Sequence, residues 1–162
     1  MKTRIVALLL ALVMLLPVFA VAEDAMSSAS VADFYGDSAL TGDDLMNAIN
    51  AFSGFYLIST TNPDGTPCSA FFIFSMVKHE DKYYLQLGLA ENQSKQNLAA
   101  NGNGVAVYAA SPSTAEGAMP YAVAGARIRF QAITDTAVAD ALAANARQGA
   151  MFFEITEIRP LG

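Results

Sequence analysis

Residues 55–77 read FYLISTTNPDGTPCSAFFIFSMV, and the rest of the chain must close around whatever this segment forms. Phe55 to Thr61 is aromatic and β-branched, the composition of a strand. Asn62-Pro63-Asp64-Gly65 follows with Pro at the second position and Gly at the fourth, the pattern of a type I turn. Pro67 to Val77 is strand-like and almost continuously apolar in its middle, which predicts one strand buried on both faces. Lys78-His79-Glu80-Asp81 then makes a second tight turn. Lys82 to Gly88 sets Tyr83, Leu85 and Leu87 on one face against Tyr84 and Gln86, a half-buried strand. Three strands joined by two short turns predict an antiparallel meander.

Downstream, residues 92–104 (NQSKQNLAANGNG) are polar and amide-rich between apolar neighbours. A short helix is expected over Lys95 to Ala100, capped by Ser94 or a neighbour and stopped by Asn101-Gly102. Gly104 to Ala110 reads as a fourth strand. Residues 111–120 read as a loop of small residues. Tyr121 to Thr134 reads as a long fifth strand in which Gly125 marks a bulge or bend. Asp135 to Arg147 is helical in pattern, with Val138, Leu142 and Ala146 on one face. Met151 to Ile158 is a final strand, stopped by Pro160. Upstream, Leu45, Ile49 and Phe52 share one face of a helix that Thr41 would cap and Gly54 would end, with Asp43 and Asp44 favourable in its first turn. Six antiparallel strands with helices only at the joints suggest a small barrel, because closure removes exposed edges.

The first residues belong to no fold. Met1 to Arg4 is a basic start, Ile5 to Leu16 an unbroken apolar run, and Ala20-Val21-Ala22 a small-x-small site before Glu23-Asp24. That is the layout of a secretory signal peptide over residues 1–22, too short in its apolar part for a comfortable span of roughly 20 residues. The expectation is therefore export, to a periplasm or the exterior, with no membrane attachment after cleavage. Residues 23–40 read as a flexible leader and residues 41–162 as one domain. Cleavage removes Lys2 and Arg4 and leaves 7 basic against 15 acidic residues, a net charge of −8. Such a surface repels nucleic acid and anionic lipid. Cys68 is the only cysteine and His79 the only histidine, so an intramolecular disulfide and a Cys/His zinc site are excluded by count. Cys68 reads as a small buried residue and His79 as part of a turn. Arg127 and Arg129 alternate with Ile128 and Phe130 and so share a strand face, read as solvent-facing.

Several local patterns resemble the FMN-binding split-barrel proteins, the pyridoxamine 5′-phosphate oxidase-like superfamily. They are LISTTNPDGTPCSAFFIF (57–74), KYYLQLGLAENQSKQNLAANGNGVAVYAA (82–110), ARIRFQAI (126–133) and FFEITEIRPL (152–161), together spanning roughly residues 45–160. Ser94-Lys95-Gln96-Asn97-Leu98 carries the resemblance most strongly. It implies a mainly β fold with peripheral helices, a six-stranded antiparallel split barrel that forms a homodimer with FMN in clefts at the interface. Carried onto this chain, Ser94 and Lys95 are the phosphate ligands, with Gln93 and Asn92 as lesser contributors. A helix start presents free N–H groups to an anion, and Lys95 adds a charge-assisted contact. Many members carry a basic residue in the second strand; here Pro67 to Ala70 has none, and Ser69 offers only a neutral hydrogen bond. The chain ends with Arg159 as its one nearby cation, which argues against vitamin B6 oxidation. The implied activity is a flavin-dependent oxidoreductase acting on a small molecule or electron acceptor. No general acid or base is legible and no metal is called for, since the flavin carries the chemistry. A deazaflavin in place of FMN, or a flavin-free barrel that binds another ligand or a protein partner, stays open.

Overall fold

The computed structural model describes residues 38–110, 123–144 and 146–162. The proposed signal peptide, the leader as far as residue 37, the 111–120 loop and Tyr121 lie outside the described residues. Within them the order is α1 (Gly42–Asn50), β1 (Phe55–Thr61), β2 (Pro67–Ala70), β3 (Phe74–His79), β4 (Lys82–Leu87), α2 (Gln93–Asn101), β5 (Asn103–Ala109), β6 (Gly125–Ala132), α3 (Thr136–Ala143) and β7 (Met151–Arg159).

The opening segment is where structure and sequence part. The strand expected over 67–77 is two strands, interrupted at Phe71-Phe72-Ile73, so the sheet has seven strands rather than six. Nor is its centre buried on both faces: Phe71 is 73% and Ile73 66% exposed. The strand order is β2-β1-β5-β6-β7-β4-β3, every pairing antiparallel. The meander is therefore replaced by two hairpins, β1–β2 and β3–β4, at opposite ends of the sheet. Ala70 and Phe74 can be no more than about 14 Å apart along an extended chain. A flat seven-stranded sheet would hold its edges about 29 Å apart at the usual spacing. The sheet must curl until β2 and β3 approach, giving a barrel left open at that seam.

The interior is filled from every strand except β2: Tyr56 and Ile58, Phe74 and Met76, Leu85 and Leu87, Ala106 and Tyr108, Ile128 and Phe130, and Phe153 are all buried. Tyr56 packs edge-on against Phe74 and Tyr108 with ring centroids 5.1 and 5.2 Å away. Such pairs add to the stabilisation from area burial alone. β6 is pressed against β5 so closely that a Cβ on Gly125 would lie 2.1 Å from the Tyr108 carbonyl oxygen. Gly125 is there for that approach. The bulge expected at it lies instead where Arg129 pairs Glu157 and Phe130 pairs Ile155, leaving Thr156 as the extra residue.

Helix α1 packs against this core through Leu45 and Ile49, both fully buried. Thr41 occupies its N-cap in extended conformation, but its side chain makes no capping bond. The helix stops at Asn50, and Phe52, expected on its buried face, is 61% exposed with φ +53°. The carbonyls at its C-terminal end have no intrahelical partner, and the barrel supplies several. Tyr56 donates to the Ile49 oxygen at 2.6 Å, and Tyr108 to those of Ala48 at 3.1 Å and Ser53 at 2.9 Å. Asn50 bridges the free edge of β3, its side-chain amide bonded both ways to the Met76 backbone at 2.8 and 2.9 Å. Helix α3 is shorter than the pattern over 135–147 suggests; Asp135 caps it, and none of its residues is fully buried.

Candidate cofactor site at the start of α2

Helix α2 follows β4 directly and packs over β1 and β2. It starts one residue before Ser94. The cap is Asn92, in extended conformation, whose Oδ1 accepts from the Lys95 amide at 2.9 Å, and Gly102 in the left-handed region at φ +68° ends the helix. Ser94 therefore sits inside the first turn instead of capping it. Lys95's amide is taken by the cap, so Gln93 and Ser94 keep first-turn N–H groups that the helix itself cannot use. No acidic side chain stands in that turn to neutralise the positive end of the helix dipole.

The side chains divide into an inner and an outer set. Ser94 is only 2% exposed, with its hydroxyl 3.8 Å from Cys68 Sγ on β2. Asn97, one turn on, is equally buried. Its Nδ2 donates to Thr60 Oγ1 at 3.0 Å and Asn62 Oδ1 at 2.9 Å, while its Oδ1 accepts from Gln93 Nε2 at 2.8 Å. On the outer side, Lys95 Nζ forms an ion pair with Glu91, one helical turn earlier. Ser69 belongs to neither set. Its hydroxyl is shared with Ser59 at 2.7 Å, and strand alternation turns it to the opposite face of β2 from Cys68.

The structure thus brings Asn92, Gln93, Ser94 and Lys95 to one helix start and leaves Ser69 apart. It adds Asn97, Thr60 and Cys68, which sequence reasoning did not single out for this place. The only available hint was a polar Asn97 next to the apolar Leu98. What the arrangement can hold is an anion, approached by the amides of Gln93 and Ser94 with Lys95 at the rim. Among the described residues no cluster of three or more His, Cys, Asp or Glu side chains is placed to hold a metal ion. Arg127 and Arg129 do share a face, the outer one. Arg129 pairs with Glu157 at 3.2 Å, and Arg127 Nε donates to the Pro160 carbonyl at 2.7 Å.

An open-seamed antiparallel barrel with helices at its joints is the split-barrel fold. Among solved structures, this chain is similar to an FMN-binding protein from Syntrophomonas wolfei subsp. wolfei. The identity is 16%, the alignment covers 74% of this chain and 85% of that one, and the TM-score is 0.53. It is also similar to HupZ of Group A Streptococcus, at 16% identity over 75% of this chain and 94% of the other, with a TM-score of 0.50. Both likenesses are of fold. No protein-family model and no curated protein matches the sequence.

Proposed function

We propose that residues 41–162 form an exported FMN-binding domain that works as a homodimer and passes electrons to or from a small molecule. The observation that carries this reading is the start of α2, where unused amides and one lysine converge on a fold shared with an FMN-binding protein. In it the Gln93 and Ser94 amides receive the phosphate, and Lys95 supplies charge once it leaves Glu91. Asn92 keeps the helix start in place, and the buried bonds of Asn97 anchor the turn to β1. Bound FMN would supply hydride or single-electron transfer; the protein's part is to bind and orient it. A second copy laid over the barrel seam would cover the exposed Phe71 and Ile73 and give the cleft its other wall.

A second reading, a flavin-free binding module, is favoured by one observation. The lone lysine at the helix start is already paired, and β2 adds no cation. The test is the visible absorption spectrum of the protein purified without added cofactor, then again after incubation with FMN and dialysis. A flavin band retained by the native chain and lost in Lys95→Ala is the expected result. A protein that stays colourless after incubation overturns the flavin reading in favour of the second. Sedimentation of the native chain as a dimer, and of Phe71→Asp as a monomer, checks the assembly separately.

A further inference from the structure

The turn between β1 and β2 carries an exposed carboxylate, and a line of side-chain hydrogen bonds leads from it to the start of α2. Asp64 Oδ1 accepts from the Thr66 hydroxyl at 2.6 Å. Thr66 Oγ1 accepts from Asn62 Nδ2 at 3.1 Å, Asn62 Oδ1 from Asn97 Nδ2 at 2.9 Å, and Asn97 Oδ1 from Gln93 Nε2 at 2.8 Å. The relay begins in solvent, passes through the buried Asn97 and ends at the first residue of α2. We propose that Asp64 is a positioning residue: through this relay it holds the first turn of α2, and with it any anion bound there, without touching the ligand. Its effect on FMN rests on the phosphate site proposed at that turn.

The direction of every bond follows from the carboxylate. An ionised Asp64 can only accept, so the single hydrogen of the Thr66 hydroxyl goes to it and a lone pair is left for Asn62. Asn62 must then turn its NH2 to Thr66 and its oxygen to Asn97. Asn97 in turn must point its NH2 at Asn62, where it also reaches Thr60 Oγ1 at 3.0 Å, and its oxygen at Gln93. Neither asparagine can flip without breaking at least two bonds, and bonds in such a series polarise one another. The carboxylate stays ionised, because the Thr66 hydroxyl and amide hold it below the usual carboxylate range.

The hairpin does not need the relay. Its turn is closed by backbone bonds, from the Asn62 amide to the Thr66 carbonyl and from the Gly65 amide to the Asn62 carbonyl, both at 2.9 Å. The far end of α2 has a separate tie, from Asn101 Nδ2 to the Thr61 carbonyl at 2.8 Å. What the relay adds is a hold on the first turn, where Gln93 and Ser94 keep amides that the helix cannot use.

The sign of the effect separates a relay from simple charge. Removing a carboxylate through space tightens an anion, whereas removing the fixed end of the relay loosens it. The experiment measures FMN and riboflavin binding to the full chain by flavin fluorescence, and amide hydrogen exchange without ligand. Asp64→Ala is expected to weaken FMN roughly fivefold and leave riboflavin unchanged. It should also speed exchange of the Lys95 and Gln96 amides, both bonded to Asn92, while the Gly102 amide, bonded to the Leu98 carbonyl, keeps its rate. Asp64→Asn, which keeps an accepting oxygen, restores both readouts. Thr66→Val reproduces Asp64→Ala, and the double variant is no weaker than the worse single one, as befits two links of one series. FMN bound as tightly or more tightly by Asp64→Ala, riboflavin weakened as much as FMN, or Asp64→Asn behaving as Asp64→Ala each overturns the proposal. A native chain that binds no FMN overturns the flavin reading instead. The exchange rates then decide the relay alone, and unchanged rates at Lys95 and Gln96 overturn it.

Discussion

Asn97 shows how much of a site can rest on one side chain. It spends both ends of its amide on three partners from α2, β1 and the turn after β1, at 2.8–3.0 Å, with 2% of its surface exposed. Removing it strands buried polar atoms whose desolvation is then uncompensated. Asn97→Ala is therefore expected to cost about 2–3 kcal/mol in urea unfolding, and Asn97→Asp at least as much, because a carboxylate cannot donate to Asn62. The sequence marks Asn97 only as part of the 94–98 run, and gives no sign of its burial, since an asparagine in a polar helix is equally at home in water. Ser94 and Lys95, by contrast, were singled out as a pair by the resemblance of residues 94–98 to the split-barrel proteins. What spacing did not convey is that Ser94 turns inward to Cys68 while Lys95 turns outward to Glu91.

Helix α1 carries the corresponding point among the elements. Its amphipathic phase was readable from Leu45 and Ile49. Its stopping point was not, because the chain is terminated by bonds to residues far along the sequence. Tyr108 holds the Ala48 and Ser53 carbonyls from β5, and Tyr56 holds Ile49 from β1. Burial pushes both phenols above the ordinary tyrosine range, as it should for hydroxyls kept protonated to donate. Tyr108→Phe keeps the ring packing and removes only the donor. The expected loss is about 1–2 kcal/mol, read as a lower thermal midpoint with little change in cooperativity. The break at 71–73 has the same kind of origin. Phe71, Phe72 and Ile73 have every local preference for a strand, yet the chain must leave one sheet edge and join the other. That demand outweighs propensities that span only about 1 kcal/mol.

For the whole molecule, surface charge ties the elements together and sets how the fold answers pH. Asp43 at the start of α1 accepts from Tyr83 at 2.8 Å and Lys78 at 3.2 Å, and these bonds hold its carboxyl below the usual carboxylate range. Asp64 is lowered in the same way by the Thr66 hydroxyl and amide. A carboxylate whose folded pKa is depressed contributes stability that is complete above the unfolded value, ~3.9, and lost as pH falls through the folded one. Lys78 and Lys82 are raised by their partners Asp43 and Glu154. Their contribution is complete below the unfolded value, ~10.4, and lost as pH rises through the folded one. Urea midpoints should be level with respect to these groups from about pH 5 to 9 and fall on either side, and Asp43→Asn should flatten part of the acid limb. Sequence by itself determined the strand-rich character, the phase of α1 through Leu45 and Ile49 and the turn chemistry at 62–65, because those follow from neighbours within one or two turns of chain. The reach of each strand, the exchange of a meander for two hairpins at opposite edges, the inward turn of Ser94 and the partners of Asn97 were decided only in the tertiary structure. Each depends on closing a curved sheet, and closure is settled by contacts between residues tens of positions apart that no local pattern encodes.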